Sequence, residues 1–243
     1  MPDPQVWLIL IGTVLVGSIV GGVAGFGTGL ILLPVLAWTL GARAAVPVLT
    51  VTMVLGNLSR LWWSRYETDL RVVKRYLLGA IPATVLGAVV YAVAPTDWLS
   101  RLMGIFLLGA VPLRRLLSSQ NFRVRLVHFP FLGAAIGFLS SLVVATGPVL
   151  APFFLAYGLR RGAFIATESV CAFAMHVTRG LTLASYSLLS REMVAIGLTL
   201  GSTMFLGSWI GRRILDRMSD RLFLIALEAL LVGMGLQFLL FPR

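Results

Sequence analysis

Charge is scarce in this sequence, and acidic charge is scarcest. Charged residues make up 12% of the 243 positions, with 9 Asp and Glu against 20 Lys and Arg, whereas soluble proteins average about 25% charged. A soluble fold of this length could not hide the apolar surface that remains. The single cysteine, Cys171, excludes an internal disulfide, and within its apolar run it reads as a small core residue. The two histidines, His128 and His176, stand too far apart to read as a ligand pair, so no metal is expected. No Walker-type phosphate loop and no adenine-nucleotide signature occur. Neither an enzyme nor a cofactor is therefore expected, and a nucleotide-driven step would need a partner. Two-residue alternation is missing as well, which argues against a transmembrane barrel. No basic helix is interleaved with stacking aromatics, so the net charge of +11 reads as loops facing lipid phosphates rather than as a nucleic-acid surface. The residues before Val6 include no Lys or Arg; a cleaved signal peptide wants a positive start, so the first apolar run is expected to stay as a membrane helix.

What is present is apolar runs of membrane length. Ten can be drawn, roughly Val6–Ala24, Gly29–Leu40, Ala44–Trp63, Leu77–Ala94, Leu99–Leu113, Leu126–Ala145, Pro148–Tyr157, Ala163–Leu188, Val194–Ile210 and Leu222–Phe241. About 20 predominantly apolar residues span a bilayer. The expected fold is an all-α polytopic membrane protein. The second and seventh runs are too short to span as straight helices, and each follows a glycine break, so each reads as a half-helix or a re-entrant arm. Basic residues cluster in four places, around Arg65–Arg75, Arg114–Arg125, Arg160–Arg161 and Arg212–Arg221. Placing all four inside puts 14 basic residues inside against 4 outside, in line with the positive-inside rule. Both termini then lie outside. Five segments precede the Arg114–Arg125 loop and five follow it, and an odd number per copy inverts the second. Two inverted-topology repeats are expected, residues 1–118 and 119–243, forming one membrane domain.

The repeats are anchored by two breaks. Gly21-Gly-Val-Ala-Gly-Phe-Gly-Thr-Gly-Leu-Ile-Leu-Leu-Pro34 puts five glycines in nine residues. Its echo is Gly137-Phe-Leu-Ser-Ser-Leu-Val-Val-Ala-Thr-Gly-Pro-Val-Leu-Ala-Pro152, in which Gly147 and Pro152 follow Gly29 and Pro34 by 118 positions. Unwound backbone at membrane depth is tolerated only where it is buried in protein or lines a cavity. A packing kink would account for one break; two matching breaks favour a site. Each short helix would begin at a threonine, Thr28 or Thr146, which suits a cap, and free N–H groups at a helix start favour an anion. Phe26, Gly27, Thr28 and Gly29 from the first break and Ala145, Thr146 and Gly147 from the second are the candidate substrate-binding residues. Glycines elsewhere, such as Gly12, Gly17, Gly201, Gly207 and Gly211, read as points of close helix packing.

Polar residues inside the third and eighth runs extend the site. Asn57 and Arg60 are three apart, hence neighbours on a helix, and His176 and Arg179 repeat the spacing. Arg60 lies near the inner boundary and is expected to snorkel. Arg179 has no short route to water, and an intramembrane arginine is a functional candidate by default. Asn57, His176 and Arg179 therefore join the candidate site. Glu168 lies eleven residues before Arg179 on nearly the same face, about 16 Å away along the axis at 1.5 Å per residue, too far for contact. It is the candidate proton carrier, balanced against a structural role. Glu228 reads as structural.

At these residues a resemblance emerges. Gly25-Phe-Gly-Thr-Gly-Leu-Ile-Leu-Leu-Pro-Val-Leu, then Leu40-Gly-Ala-Arg-Ala-Ala and Thr50-Val-Thr52, resembles the first repeat of the sulfite exporter TauE/SafE family, also called the toluene-sulfonate uptake permease family. Ser140-Ser-Leu-Val-Val-Ala-Thr-Gly-Pro-Val-Leu-Ala-Pro, then Tyr157-Gly-Leu and Ala166-Thr, looks like its second. The resemblance covers nearly the whole chain. It implies a secondary transporter moving sulfite, an organosulfonate or a related small anion across the bacterial inner membrane. Two departures stand out: the second break, Ala145-Thr-Gly, holds fewer glycines, and Thr167-Glu168 stands where the family often has Thr-Ser. The added carboxylate favours coupling to a proton or another ion. The expected partners are a small anionic substrate and membrane lipid, with a homo-oligomer left open. An uptake permease for another small organic anion and an anion channel are the alternatives, with a non-transporting scaffold behind them.

Overall fold

The computed structural model describes residues 2–95, 98, 123–143, 146–219, 221, 222 and 225. The expected fifth run, nearly all of the tenth, Ala145, Glu228 and most of the Arg114–Arg125 loop lie outside the described residues. Within them the chain is helical, with no strand. The helices are α1 (Pro4–Ala24), α2 (Thr28–Leu40), α3 (Ala42–Ser64), α4 (Leu70–Val93), α5 (Phe129–Val143), α6 (Gly147–Tyr157), α7 (Arg161–Ser185) and α8 (Arg191–Asp216).

Among the described residues, four helices are long and apolar enough to cross a membrane: α1, α3, α4 and α8. α7 is long enough, at 25 residues, but it carries Glu168, His176 and Arg179 and is mostly buried along that face. α2 and α6 have 13 and 11 residues, so at 1.5 Å per residue they fall short of a core about 30 Å thick. Leu8 and Phe131 are 74% and 75% exposed, as expected of a lipid-facing exterior rather than one made for water.

Two helices extend well past the apolar runs read in the sequence. α4 starts seven residues before Leu77, because Asp69 caps it, accepting from the backbone N–H of Arg71 at 3.0 Å and of Val72 at 3.5 Å. Arg71, Lys74 and Arg75 thus sit on the first turns of a helix rather than in a loop. α8 continues past Ile210 to Asp216, so Arg212 and Arg213 are also helical.

Small residues set the helix contacts. α4 and α5 run parallel: a methyl on Gly87 would come 2.6 Å from the carbonyl oxygen of Phe138, and one on Gly137 would come 2.6 Å from that of Ala80. Ser141 Oγ donates to the Thr84 carbonyl at 3.0 Å across this seam. α1 meets α8 in the same way, with Gly22 against the Cα of Gly211. Gly12 is an exception to the packing expectation, since nothing approaches it within 4 Å. α3 packs on α7 and α8, and α4 packs on α7. The helix contacts are thus reciprocal: α1 meets α8 as α4 meets α5, and α3 meets α8 as α4 meets α7.

One end of the bundle collects basic residues. The short helical turn Arg65–Glu67 joins α3 to α4 there, and the Asp69 N–H donates to Thr167 Oγ1 at 3.0 Å. Arg212 reaches Glu67 Oε1 at 2.7 Å and Ser64 Oγ at 2.8 Å. Arg65 stacks on Trp62 and Tyr66, and Arg213 on Trp209, the cation–aromatic mixture typical of a membrane–water boundary.

Candidate functional site

The first break is a turn that only glycine builds. Gly25 and Gly27 take φ of 81° and 111°, a region that side chains disfavour. α2 then folds back along α1, so that Thr28 lies beside Gly17 and its hydroxyl donates to the Gly17 carbonyl at 2.7 Å. This corrects the expected cap. Gly27, not Thr28, occupies the cap position of α2, with no side-chain bond to the helix start. The one hydroxyl proton of Thr28 is committed to α1 and is not available to a ligand. Thr146 does hold the cap position of α6, again without a side-chain cap bond.

The two breaks meet. Phe26 packs on Gly147, where a methyl would come within 3.0 Å of Phe26 Cγ. Around this contact lies a cavity. Phe26, Gly27, Thr28, Gly29, Thr146 and Gly147 all line it. Asn57 reaches it from α3, and Glu168 and His176 from α7. Nothing lies within 4 Å of a methyl built on Gly29, so that glycine faces open space.

Arg60 lines the cavity too, and the snorkelling expectation is wrong for it. It is 5% exposed. Side chains on a helix lean toward its N-terminus, so an arginine one turn before the end of α3 leans back into the bundle. Its Nη2 donates to Asn57 Oδ1 and its Nε to Ser169 Oγ at 3.3 Å. Gly21 on α1 makes room for it: a methyl there would sit 2.9 Å from Arg60 Nη1. The signal was in the sequence, since Asn57–Arg60 has the spacing of His176–Arg179, but proximity to the boundary outweighed it.

Glu168 faces Arg60, with Oε2 3.7 Å from Nη2. That is an ion pair without a hydrogen bond. Oε2 is buried and accepts no hydrogen bond within the described residues. An under-satisfied carboxylate oxygen at a cavity wall is a costly feature that a packed core would avoid.

Arg179 is 1% exposed and does not line the cavity. It lies behind His176, with Nη2 2.7 Å from His176 Nδ1 and Nη1 donating to the Ser140 carbonyl at 2.7 Å. A guanidinium only donates, so His176 Nδ1 must accept. The imidazole is then neutral and carries its proton on Nε2. Ser140 also borders the cavity, so Arg179 ties α7 to the end of α5 just before the second break. Its Nε finds no acceptor among the described residues. No group of three or more His, Cys, Asp or Glu able to hold a metal occurs among the described residues.

The family model described as Sulfite exporter TauE/SafE matches residues 9–238. The chain belongs to this family. It is accordingly a membrane protein of a transporter family, and the likeness seen at the two breaks extends over nearly all of its length. No curated protein and no solved structure matches it.

Proposed function

We propose that this TauE/SafE protein is a secondary transporter for a small oxyanion, sulfite or an organosulfonate, and that the cavity between the two breaks is its substrate site. The observation that carries this reading is the company the cavity keeps. Two helix starts without side-chain caps, the guanidinium of Arg60 and the Nε2–H of His176 surround open space at Gly29. Donors of this kind fit an anion with several oxygens better than a spherical one. Arg179 acts behind His176, holding the ring and adding positive charge. Glu168, beside Arg60, is the carrier for any proton that the transport step moves.

The reciprocal helix contacts support an inverted-repeat machine in which the two halves rock about the site. The basic, aromatic-rich end faces the cytoplasm across the inner membrane, with both termini on the other side.

Sulfite flux into proteoliposomes tests the reading. Saturable uptake is expected, and it should vanish in Gly29→Val, whose first side-chain carbon meets no neighbour within 4 Å and whose methyls take up cavity space. Flux that Gly29→Val leaves intact would place the substrate elsewhere. Flux that never saturates would identify a channel instead.

A further inference from the structure

The charges at the cavity do not cancel. Arg60 and Glu168 oppose one another at 3.7 Å. Arg179 adds a second guanidinium one side chain behind the wall, and no carboxylate pairs with it among the described residues. His176 contributes no charge, because its Nδ1 must accept from Arg179. The other titratable side chains near Glu168, Tyr76 from α4 and Cys171 on α7, are buried and uncharged. The described groups therefore sum to one positive charge: two arginines less one glutamate.

We infer that the site is matched to a monoanion, and that a dianion occupies it only when Glu168 carries a proton. This rests on the reading of the cavity as the substrate site. In a low-dielectric interior an uncompensated charge is expensive and a compensated one is not. A singly charged ligand closes the balance with Glu168 ionised. A doubly charged one leaves a net negative charge beside a carboxylate oxygen that already lacks a hydrogen-bond donor. A proton taken by Glu168 from the side of anion binding restores neutrality, and it leaves with the anion on the other side. Glu168 is then a selector of ligand charge: an alkylsulfonate travels alone, and a dianion travels with one proton.

The test uses two probes of fixed charge near neutral pH, methanesulfonate and sulfate, titrated calorimetrically into the purified full chain. In the wild type, methanesulfonate should bind roughly tenfold or more tighter, and Glu168→Gln should reverse the order. Titrations in buffers of different ionisation enthalpy provide a second measurement that needs no variant. Sulfate should take up about one proton per site and methanesulfonate none. An unchanged preference in Glu168→Gln, or sulfate binding without proton uptake, would overturn the inference and leave the transporter reading standing. Failure of both anions to bind folded wild-type protein would overturn the substrate-site reading itself.

Discussion

Arg179 Nη2 lies 2.7 Å from His176 Nδ1, one turn away on α7. The contact decides which nitrogen of the imidazole carries the proton, because the guanidinium has no lone pair to offer. In nitrogen-15 spectra of the His128→Gln variant, which leaves His176 as the one histidine, the Nε2–H tautomer should dominate. Arg179→Ala should mix the tautomers and weaken anion binding, while His176→Gln, which keeps a donor, should retain part of it. An Nδ1–H signal in the parent would rule the arrangement out.

Arg60 and Glu168 should behave as a coupled pair. Removing one partner of a buried ion pair typically costs about 3–5 kcal/mol, because it strands the other charge. Arg60→Ala leaves Glu168 without a cation and should approach that cost. Glu168→Gln should cost less, since Arg60 keeps Asn57 and Ser169. The double variant should recover part of the Arg60→Ala loss, which a double-mutant cycle in detergent unfolding would measure. Strictly additive losses would mean that the pair does not interact.

Gly147 and Gly29 should part company. A methyl at Gly147 strikes Phe26, and overpacking of this kind costs about 1–3 kcal/mol. Gly147→Ala should therefore lower thermal stability and anion affinity together. Gly29→Ala, facing open space, should leave stability alone and lower only affinity. Thermal unfolding with and without sulfite separates the two.

Asp69 should support the start of α4. The side-chain hydrogen bond from Arg71 holds its carboxyl below the usual aspartate range, which is near 3.9. A depressed folded value means that the cap contributes above the unfolded value and is lost as pH falls through the folded one. Near neutral pH, Asp69→Ala should cost about 0.5–2 kcal/mol, shrinking toward zero in acid. A cost that persists unchanged in acid would contradict the capping role.

Orientation has its own check. Single cysteines at Tyr66, in the basic turn, and at Tyr186, beyond the far end of α7, should label from opposite sides. With the basic end in the cytoplasm, an impermeant reagent on intact cells should reach only position 186. Labelling of position 66 from outside would reverse the orientation.

Much of this protein was legible in its sequence for a local reason. Charge content, run length and glycine position act through neighbours a few residues away, so the apolar helices, the two breaks and the family could be read directly. The Asn57–Arg60 and His176–Arg179 pairs were visible as spacings on one helix face. What those spacings could not say was where each long side chain goes, because that depends on other helices. Gly21 on α1 opens the space that Arg60 fills, and Gly17 offers the carbonyl that takes the Thr28 proton. His176 stands between Arg179 and the cavity. Sequence alone determined that cations and two broken helices lie within an apolar bundle. Only the tertiary packing decided which cation meets Glu168, which one stands behind a histidine, and that the two breaks touch at Phe26 and Gly147. A buried polar group takes the partner that packing places within reach, and Arg60 and Glu168, like Phe26 and Gly147, are more than a hundred positions apart along the chain.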